Sequence, residues 1–438
     1  MSNAAIGIVR ERIDGGPLVP TMYLVVLIGF LLNMVDGFDV VAMSAAAPSL
    51  TVEWGITDQE KGLILSSTLV GMAIGAVAIA PVSDIIGRRL AILGATVAIG
   101  VSMIATGYIP PSVSLLVVMR VLSGLGIGVI LASGSAIASE FVPDKYRGVA
   151  VTTVIMGYSA GAMMVGPIAG ALVPTQGWEV LFIYGGAVTL ILGAALYFAL
   201  PESVEFLVSR ENPNLDEVNK VLSRLKRAPI DQLPTPEQPE PPMSLQNAVG
   251  QLLSPEYIGR TLTIWAMYFL GFLAIYFLMS WIPSIFVDSG FTRGQGYAAL
   301  TQFNIGALIG TSLIGYLSTR MKLAKPIAVY YVGAAIALAL VYFLRPENIT
   351  VLNSIILMIG FLLQGGFIAM FALATRTYPT SVRTTGVGWA AGLGRIGGIV
   401  SPIIAGYLIA SGWDLYSLFL LFSVPLVLAG ALALRFKI

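Results

Sequence analysis

From residue 22 onward the chain is a succession of apolar runs, each long enough to cross a bilayer and, but for one long polar stretch in the middle, separated by short polar turns. The runs fall near 22–48, 61–82, 90–109, 113–139, 149–172, 179–200, 261–287, 296–318, 326–344, 351–375, 386–410 and 415–435. A spanning helix needs ~20 mostly apolar residues, and in lipid only helices and closed barrels satisfy their own backbone hydrogen bonds. Unbroken apolarity rather than strict alternation selects helices. Composition agrees, since 57% of residues are apolar and 11% charged, against roughly 25% charged in a soluble domain. The expected fold is an all-α membrane protein of twelve transmembrane helices.

Charge placement gives this topology an orientation. With the N-terminus inside, only Lys61, Arg293 and Arg345 fall on the outer side, and Arg120 and Arg395 fall within spans, so 24 − 3 − 2 = 19 of the basic residues lie inside. That is the bias expected of cytoplasmic loops. The first ~20 residues read as polar, and the first apolar run is longer than a signal-peptide core and lacks a convincing cleavage pattern, so both termini are expected on the cytoplasmic side of a cytoplasmic (inner) membrane.

One long polar stretch, from Pro201 to about Tyr257, splits the spans six and six. It holds a short amphipathic helix (Leu215 to Leu225) and the run PIDQLPTPEQPEPP, which reads as an extended linker. The expected units are 1–200, a linker 201–258, and 259–438. An internal repeat agrees with this division: SEFVPDKYRG, with Pro143 and Arg147 after the fourth span, recurs as TRTYPTSVRTTG, with Pro379 and Arg383 after the tenth, at an offset of 236. Paired six-helix halves around a midplane site are an architecture of secondary transporters.

The polar residues inside the spans are few. Asp36 and Asp39, in NMVDGFDVVAMSAAAP, are three apart and share a face near the middle of the first span. An intramembrane carboxylate costs ~2.5–3.5 kcal/mol on insertion scales, so two need a reason, whether coupling or a static helix contact. Arg120, in the glycine-rich fourth span, lies at the depth of Asp39 and is its expected counter-ion; a pair that opens and closes would let the carboxylate gain and lose a proton, whereas a fixed salt bridge would only join two helices. Glycines 124, 126 and 128 show that this helix packs closely on a neighbour. Arg395, in GVGWAAGLGRIGGIVSPIIAG, sits near the midplane of the eleventh span, with no acidic residue inside the last six spans to neutralise it. A fixed guanidinium facing a cavity suits a carboxylate, which it can bind bidentately; the alternative is an arginine bonded to backbone carbonyls. The chain has no histidine and no cysteine, so a transported proton would ride on a carboxylate, and cysteine metal sites, thiolate nucleophiles and disulfides are excluded. No cofactor, metal, nucleic acid or enzymatic motif is indicated.

DGFD in the first span, PVSDIIGRR between the second and third, the Arg120 glycine motif, LPESVEFL after the sixth, WIPSIF in the seventh and the late GRIGG run together resemble the major facilitator superfamily. Within it they resemble the aromatic acid:proton symporter family. That resemblance implies two pseudo-symmetric halves, a monomer that symports an aromatic carboxylic acid such as a hydroxybenzoate with protons, and proton coupling through Asp36 and Asp39 with Arg120. It makes Arg395 the contact for the substrate carboxylate. It also makes Asp84, Arg88 and Arg89 a cytoplasmic loop that locks the outward-open state by charge pairing, in a network with Glu140, Arg147 and Arg383. Ala80 stands where this loop usually has glycine, and Thr319 replaces the usual aspartate in the second copy, which implies a weaker lock in the second half. For the ring of the substrate, the mid-depth candidates are Asn33, Tyr158, Tyr276, Phe303, Asn304, Gln364, Phe367 and Trp389. A carrier of another organic acid or of a sugar, or a drug-efflux antiporter using GAMMVGPIAG, are the alternatives; a sugar leaves Arg395 unexplained.

Overall fold

The computed structural model describes residues 3–210, 213–232, 245–318, 321–379 and 382–436. The expectations for Thr319, Arg320 and Lys437, and for most of the proline-rich run, fall outside these residues. Among the described residues, twelve helices are long and apolar enough to cross a membrane. The first six spans are α2 (Pro20–Trp54), α3 (Asp58–Ile74) with its continuation α4 (Ser83–Ile86), α5 (Arg88–Thr106), α6 (Val113–Phe141), α7 (Asp144–Gln176) and α8 (Glu179–Ala199). The last six are α12 (Ile258–Asp288), α13 (Arg293–Ser318), α14 (Ala324–Leu344), α15 (Ile349–Thr377), α16 (Arg383–Ala410) and α17 (Leu415–Ala433). Short helices α1 (Asn3–Asp14), α9 (Val204–Ser209), α10 (Leu215–Arg224) and α11 (Leu245–Leu252) lie outside the spans.

Local chemistry sets several boundaries. Thr57 and Glu60 form a reciprocal capping box at the start of α3, with the Thr57 N–H donating to Glu60 Oε2 at 2.8 Å and the Glu60 N–H donating to Thr57 Oγ1 at 3.2 Å. The second span is broken between α3 and α4 by a π-helical turn (Gly75–Ile79) and a 3-10 turn (Ala80–Val82). Pro81 has no N–H to donate and its ring crowds the preceding turn, which favours a break there, although α2, α7, α12, α16 and α17 continue through internal prolines.

The packing of the two halves repeats. In the first half α2 packs on α7, α3 on α6, α5 on α6 and α5 on α8; in the second, α12 packs on α16, α13 on α15, α14 on α15 and α14 on α17. Position for position these are the same pairs. Between halves, α3 meets α16, α7 meets α13 and α2 meets α12.

Both described ends of the chain and the inter-half linker lie on one face, here termed the terminal face. The halves are bonded at the opposite face: Ser66 donates to the Ile399 carbonyl at 2.7 Å, Arg293 donates to Ser49 at 3.1 Å, and Lys61 lies 3.8 Å from Asp288. Among the described residues, no hydrogen bond or ion pair joins the terminal-face ends of the first six spans to those of the last six.

The N-terminal residues expected to be merely polar instead form α1. Its residues Ala5, Val9 and Ile13, four apart, are buried, and Arg10 pairs with Glu205 of α9 and donates to the carbonyls of Ser139 and Glu140 at 3.3 Å each. A stripe of three apolar residues is too narrow a periodic signal to stand out from a polar tail.

Candidate functional site

The two aspartates of the first span occupy different surroundings although they are three residues apart. Asp39 is fully buried and saturated: Arg120 Nη1 donates to it at 2.6 Å, and the Ser123 hydroxyl donates to its other oxygen. Arg120 is also fully buried, donating to Thr106 Oγ1 at 2.8 Å and stacking 4.6 Å from the centre of the Phe182 ring. Helices α2, α5, α6 and α8 thus converge on one ion pair inside the first half. The glycines of α6 serve different neighbours: Gly124 and Gly128 face the second span, and Gly126 faces Ile99 of the third.

Asp36 is equally buried, yet neither carboxylate oxygen has a hydrogen-bond partner among the described residues. Its surroundings are fixed by Gly37. A methyl group at Gly37 would collide with the backbone of Tyr158, so only glycine lets α2 approach α7 this closely. That approach brings Asp36 beside Tyr158. Tyr158 in turn faces Tyr276 of α12, hydroxyl to hydroxyl, without well-formed hydrogen-bond geometry, and lies within electrostatic reach of Asp36 and Arg395. Tyr276 has Arg395 within reach as well. Four spans from both halves, α2, α7, α12 and α16, therefore bring Asp36, Tyr158, Tyr276 and Arg395 to one place.

Arg395 is half-buried and makes no hydrogen bond or ion pair among the described residues. The GRIGG run that carries it packs directly on the aromatic face of α12: a methyl group at Gly398 would overlap the Tyr276 ring. Behind Tyr276, the Phe272 ring is stacked parallel at 5.7 Å, Phe367 meets Phe272 edge-on at 4.7 Å, and Tyr268 and Phe371 extend the cluster. A fixed cation with an aromatic wall beside it can bind a carboxylate through the guanidinium and a ring through stacking and edge contacts.

The other ring candidates are placed less centrally. Asn33 lies one turn before Asp36, its amide N–H donating to the Gly29 carbonyl at 3.0 Å and its oxygen unpartnered. Asn304 donates along its own helix to Leu300 at 2.8 Å, and Phe303 is buried in the second half. Gln364 keeps an unpartnered carbonyl oxygen but makes no contact with the Asp36 group among those observed. Trp389 is 39% exposed and stacks on Trp265 at 6.0 Å, nearly two turns toward the terminal face from Arg395.

At the terminal face, Arg88 pairs with Glu140 at 2.7 Å and approaches Asp84 at 3.9 Å, while the Ser203 hydroxyl donates to Glu140. The Arg89 N–H donates to Glu202 at 3.1 Å. Arg147 pairs with Asp144 at 3.0 Å and lies 3.9 Å from Glu205, which it shares with Arg10. Arg383 corrects the sequence expectation: it is exposed and donates to the Tyr378 carbonyl at 3.4 Å within its own half, apart from this network. The reason is the direction of closure, since the halves are bonded at the other face.

Sequence reading missed the closing residues of that other face. Lys61 is only 2% exposed, pairs with Asp58 at 2.8 Å, approaches Asp288 of α12 at 3.8 Å and lies 5.3 Å from the centre of the Trp281 ring. Two of these three partners belong to the other half. Lys61→Met is expected to shift the protein toward conformers open at this face. The chain has no cysteine, so spin labels on Val52→Cys and Glu347→Cys report the gap directly; an unchanged distance distribution would remove Lys61 as a latch.

The sequence profile of the Major Facilitator Superfamily matches residues 29–402. The 4-hydroxybenzoate transporter PcaK of Pseudomonas aeruginosa is 32% identical to this chain over 429 residues, covering 97% of this chain and 95% of that one. The gallate transporter of Pseudomonas putida is 30% identical over 433 residues, with coverages of 97% and 94%. Among solved structures, a bacterial homologue of the human lysosomal transporter Spinster, inward-facing and occupied, superposes with a TM-score of 0.76 at 15% identity over 96% of this chain and 97% of that one. The inward-open xylose transporter XylE of Escherichia coli gives 0.71 at 16% identity, over 95% and 96%. At such identities the structures speak for the fold alone.

Proposed function

We propose a cargo and a driving force for this chain, which belongs to the Major Facilitator Superfamily: it takes up an aromatic carboxylic acid such as a hydroxybenzoate across the cytoplasmic membrane, by alternating access, together with protons. The observation that carries this reading is Arg395, a cation without an ion-pair partner among the described residues, within electrostatic reach of Tyr158 and Tyr276 of opposite halves and flanked by glycines that pack on the Phe272 and Tyr276 rings. The names of the relatives, transporters of 4-hydroxybenzoate and gallate, support the same class of cargo. In this reading the terminal face is cytoplasmic, following the distribution of basic residues, and the bonds at the opposite face close the periplasmic side.

Coupling follows from electrostatics. An anion entering against an inside-negative potential works against ~2.3 kcal/mol per charge per 100 mV, so uphill uptake needs an accompanying cation. One proton per carboxylate makes the cycle electroneutral. Asp36 is our candidate carrier: buried, unpartnered and beside the substrate group, it is poorly placed to stay ionised without a partner. Asp39, with Arg120, holds the framework on which Asp36 sits and so contributes to coupling indirectly.

The test is uptake of labelled 4-hydroxybenzoate and related acids into proteoliposomes with and without an inward proton gradient. Gradient-dependent accumulation of an aromatic acid is expected. Accumulation of only an aliphatic acid or a sugar would overturn the cargo, and uptake indifferent to the gradient would overturn the coupling. Arg395→Ala is expected to weaken apparent affinity about ten- to hundred-fold, the loss of a charged hydrogen bond worth ~1.5–3 kcal/mol, with little effect on expression. Unchanged affinity in transport assays would take Arg395 out of the site.

A further inference from the structure

A charged cavity lies at the terminal face where the sixth span ends, apart from the Asp36–Arg395 group. It holds about 440 Å³ and is walled by the start of α5, the end of α8, and α9 and α10. Four cations line it, Arg89, Arg210, Lys220 and Arg224, against two carboxylates, Glu202 and Glu217. The carboxylates are already engaged. Glu217 binds Arg210 at 3.0 Å, and Glu202 accepts the backbone N–H groups of Arg89 at 3.1 Å and Ser203 at 2.9 Å. Lys220 and Arg224, one turn apart on α10, have no carboxylate partner among the described residues. Arg89 caps the Tyr197 carbonyl and lies over its ring, but its Nε is buried without an acceptor. The cavity therefore offers three cationic groups with unfilled donor capacity.

Its position adds the second half of the argument. Tyr197 and Phe198 are 59% and 81% exposed, placing aromatic rings where a spanning helix leaves the hydrocarbon, the depth of lipid headgroups. Phe198 and Leu200 line the cavity itself. On the same first turn of α5, Leu90 enters a long apolar groove between the second, third and fourth spans, lined also by Ile86, Val97, Val101 and Leu122. Cations at headgroup depth with an apolar channel alongside match an amphiphile with an anionic head better than a free ion.

We infer that this cavity binds the phosphate of an anionic phospholipid, with Lys220, Arg224 and Arg89 as its cationic partners. α10 buries Val218, Val221 and Leu222 and keeps Lys220 and Arg224 outward, so the linker helix is held against the bundle partly through the lipid. The site does not depend on the cargo or on proton coupling.

Purified full-length protein, stripped of lipid, would be titrated with phosphatidylglycerol or phosphatidylcholine in nanodiscs or mixed micelles, with thermal unfolding and native mass spectrometry as readouts. Phosphatidylglycerol is expected to raise the unfolding midpoint and survive as an adduct, and phosphatidylcholine to do neither. In the Lys220→Gln/Arg224→Gln variant, both changes being at exposed positions, binding of phosphatidylglycerol is expected to weaken about thirty-fold, from the loss of two cations at an anionic surface. Equal effects of the two lipids on the unaltered protein, or undiminished binding in the variant, would overturn the site. Glycerol phosphate reproducing the stabilisation at the same concentration would overturn the lipid assignment and leave a free-phosphate site.

Discussion

Asp36→Asn yields a carrier that folds, inserts and exchanges substrate across the membrane but no longer accumulates it in response to a proton gradient. The amide has the size of the carboxyl and mimics its protonated form without being able to release a proton. Asp36 makes no hydrogen bond among the described residues that the amide would break, so the change costs the fold little beyond burying an amide in place of a carboxyl. The expected result is uptake that falls to the level reached without a gradient, while counterflow of labelled substrate against unlabelled persists. The comparison separates coupling from binding. Normal uphill accumulation would remove Asp36 as the proton carrier, and loss of counterflow as well would make it part of the substrate site instead.

Arg120→Leu is expected to do the opposite kind of damage. It leaves the Asp39 carboxyl fully buried without its counter-ion and held only by the Ser123 hydroxyl, and breaking a buried pair by removing one partner costs about 3–5 kcal/mol. The outcome is a marked loss of thermal stability and of folded protein recovered in detergent. Adding Asp39→Asn to Arg120→Leu removes the stranded charge and is expected to restore much of that stability, because replacing a whole buried pair is far milder than halving it. Stability of the single variant equal to that of the unaltered protein would mean that water or a rearranged side chain reaches Asp39. A double variant as unstable as the single one would locate the cost in packing around Phe182 and Thr106 rather than in charge.

These two variants also mark where sequence reading stops. Depth along each span was enough to pair Asp39 with Arg120, because a helix rises by a fixed step per residue. The same reasoning could not tell Asp36 from Asp39: they share a helix face, and only the positions of α5, α6 and α7 decide which one acquires partners. Ser123, Thr106 and Phe182 were invisible for this reason, being ordinary residues until folding aims them at a charge. Lys61 looked like one basic residue at the end of a span and became a buried contact between halves. Arg383 looked like the repeat partner of Arg147, which it is in sequence, but the packed face of the two halves determines which repeats meet. The spans themselves were legible because lipid imposes a length and an apolarity on each, whereas α1, answering only to three apolar residues, was not.

The contact pattern of the two halves obeys a dyad that the side chains do not. The offset of 236 that relates Pro143 to Pro379 carries Lys61 to Tyr297, since 61 + 236 = 297, and both residues are buried near the start of their spans: Lys61 on α3, against Asp288 and Trp281 of α12, and Tyr297 on α13, whose carbonyl packs against Gly166 of α7. One contact between the halves is thus an ion held across helices, and the other is backbone packed on a glycine. Parting the first exposes a charge that dissolved ions can screen, whereas parting the second loses close packing that they do not affect. A backbone built for equal motion on both sides thus meets unequal resistance, and ionic strength acts on one contact and not on the other.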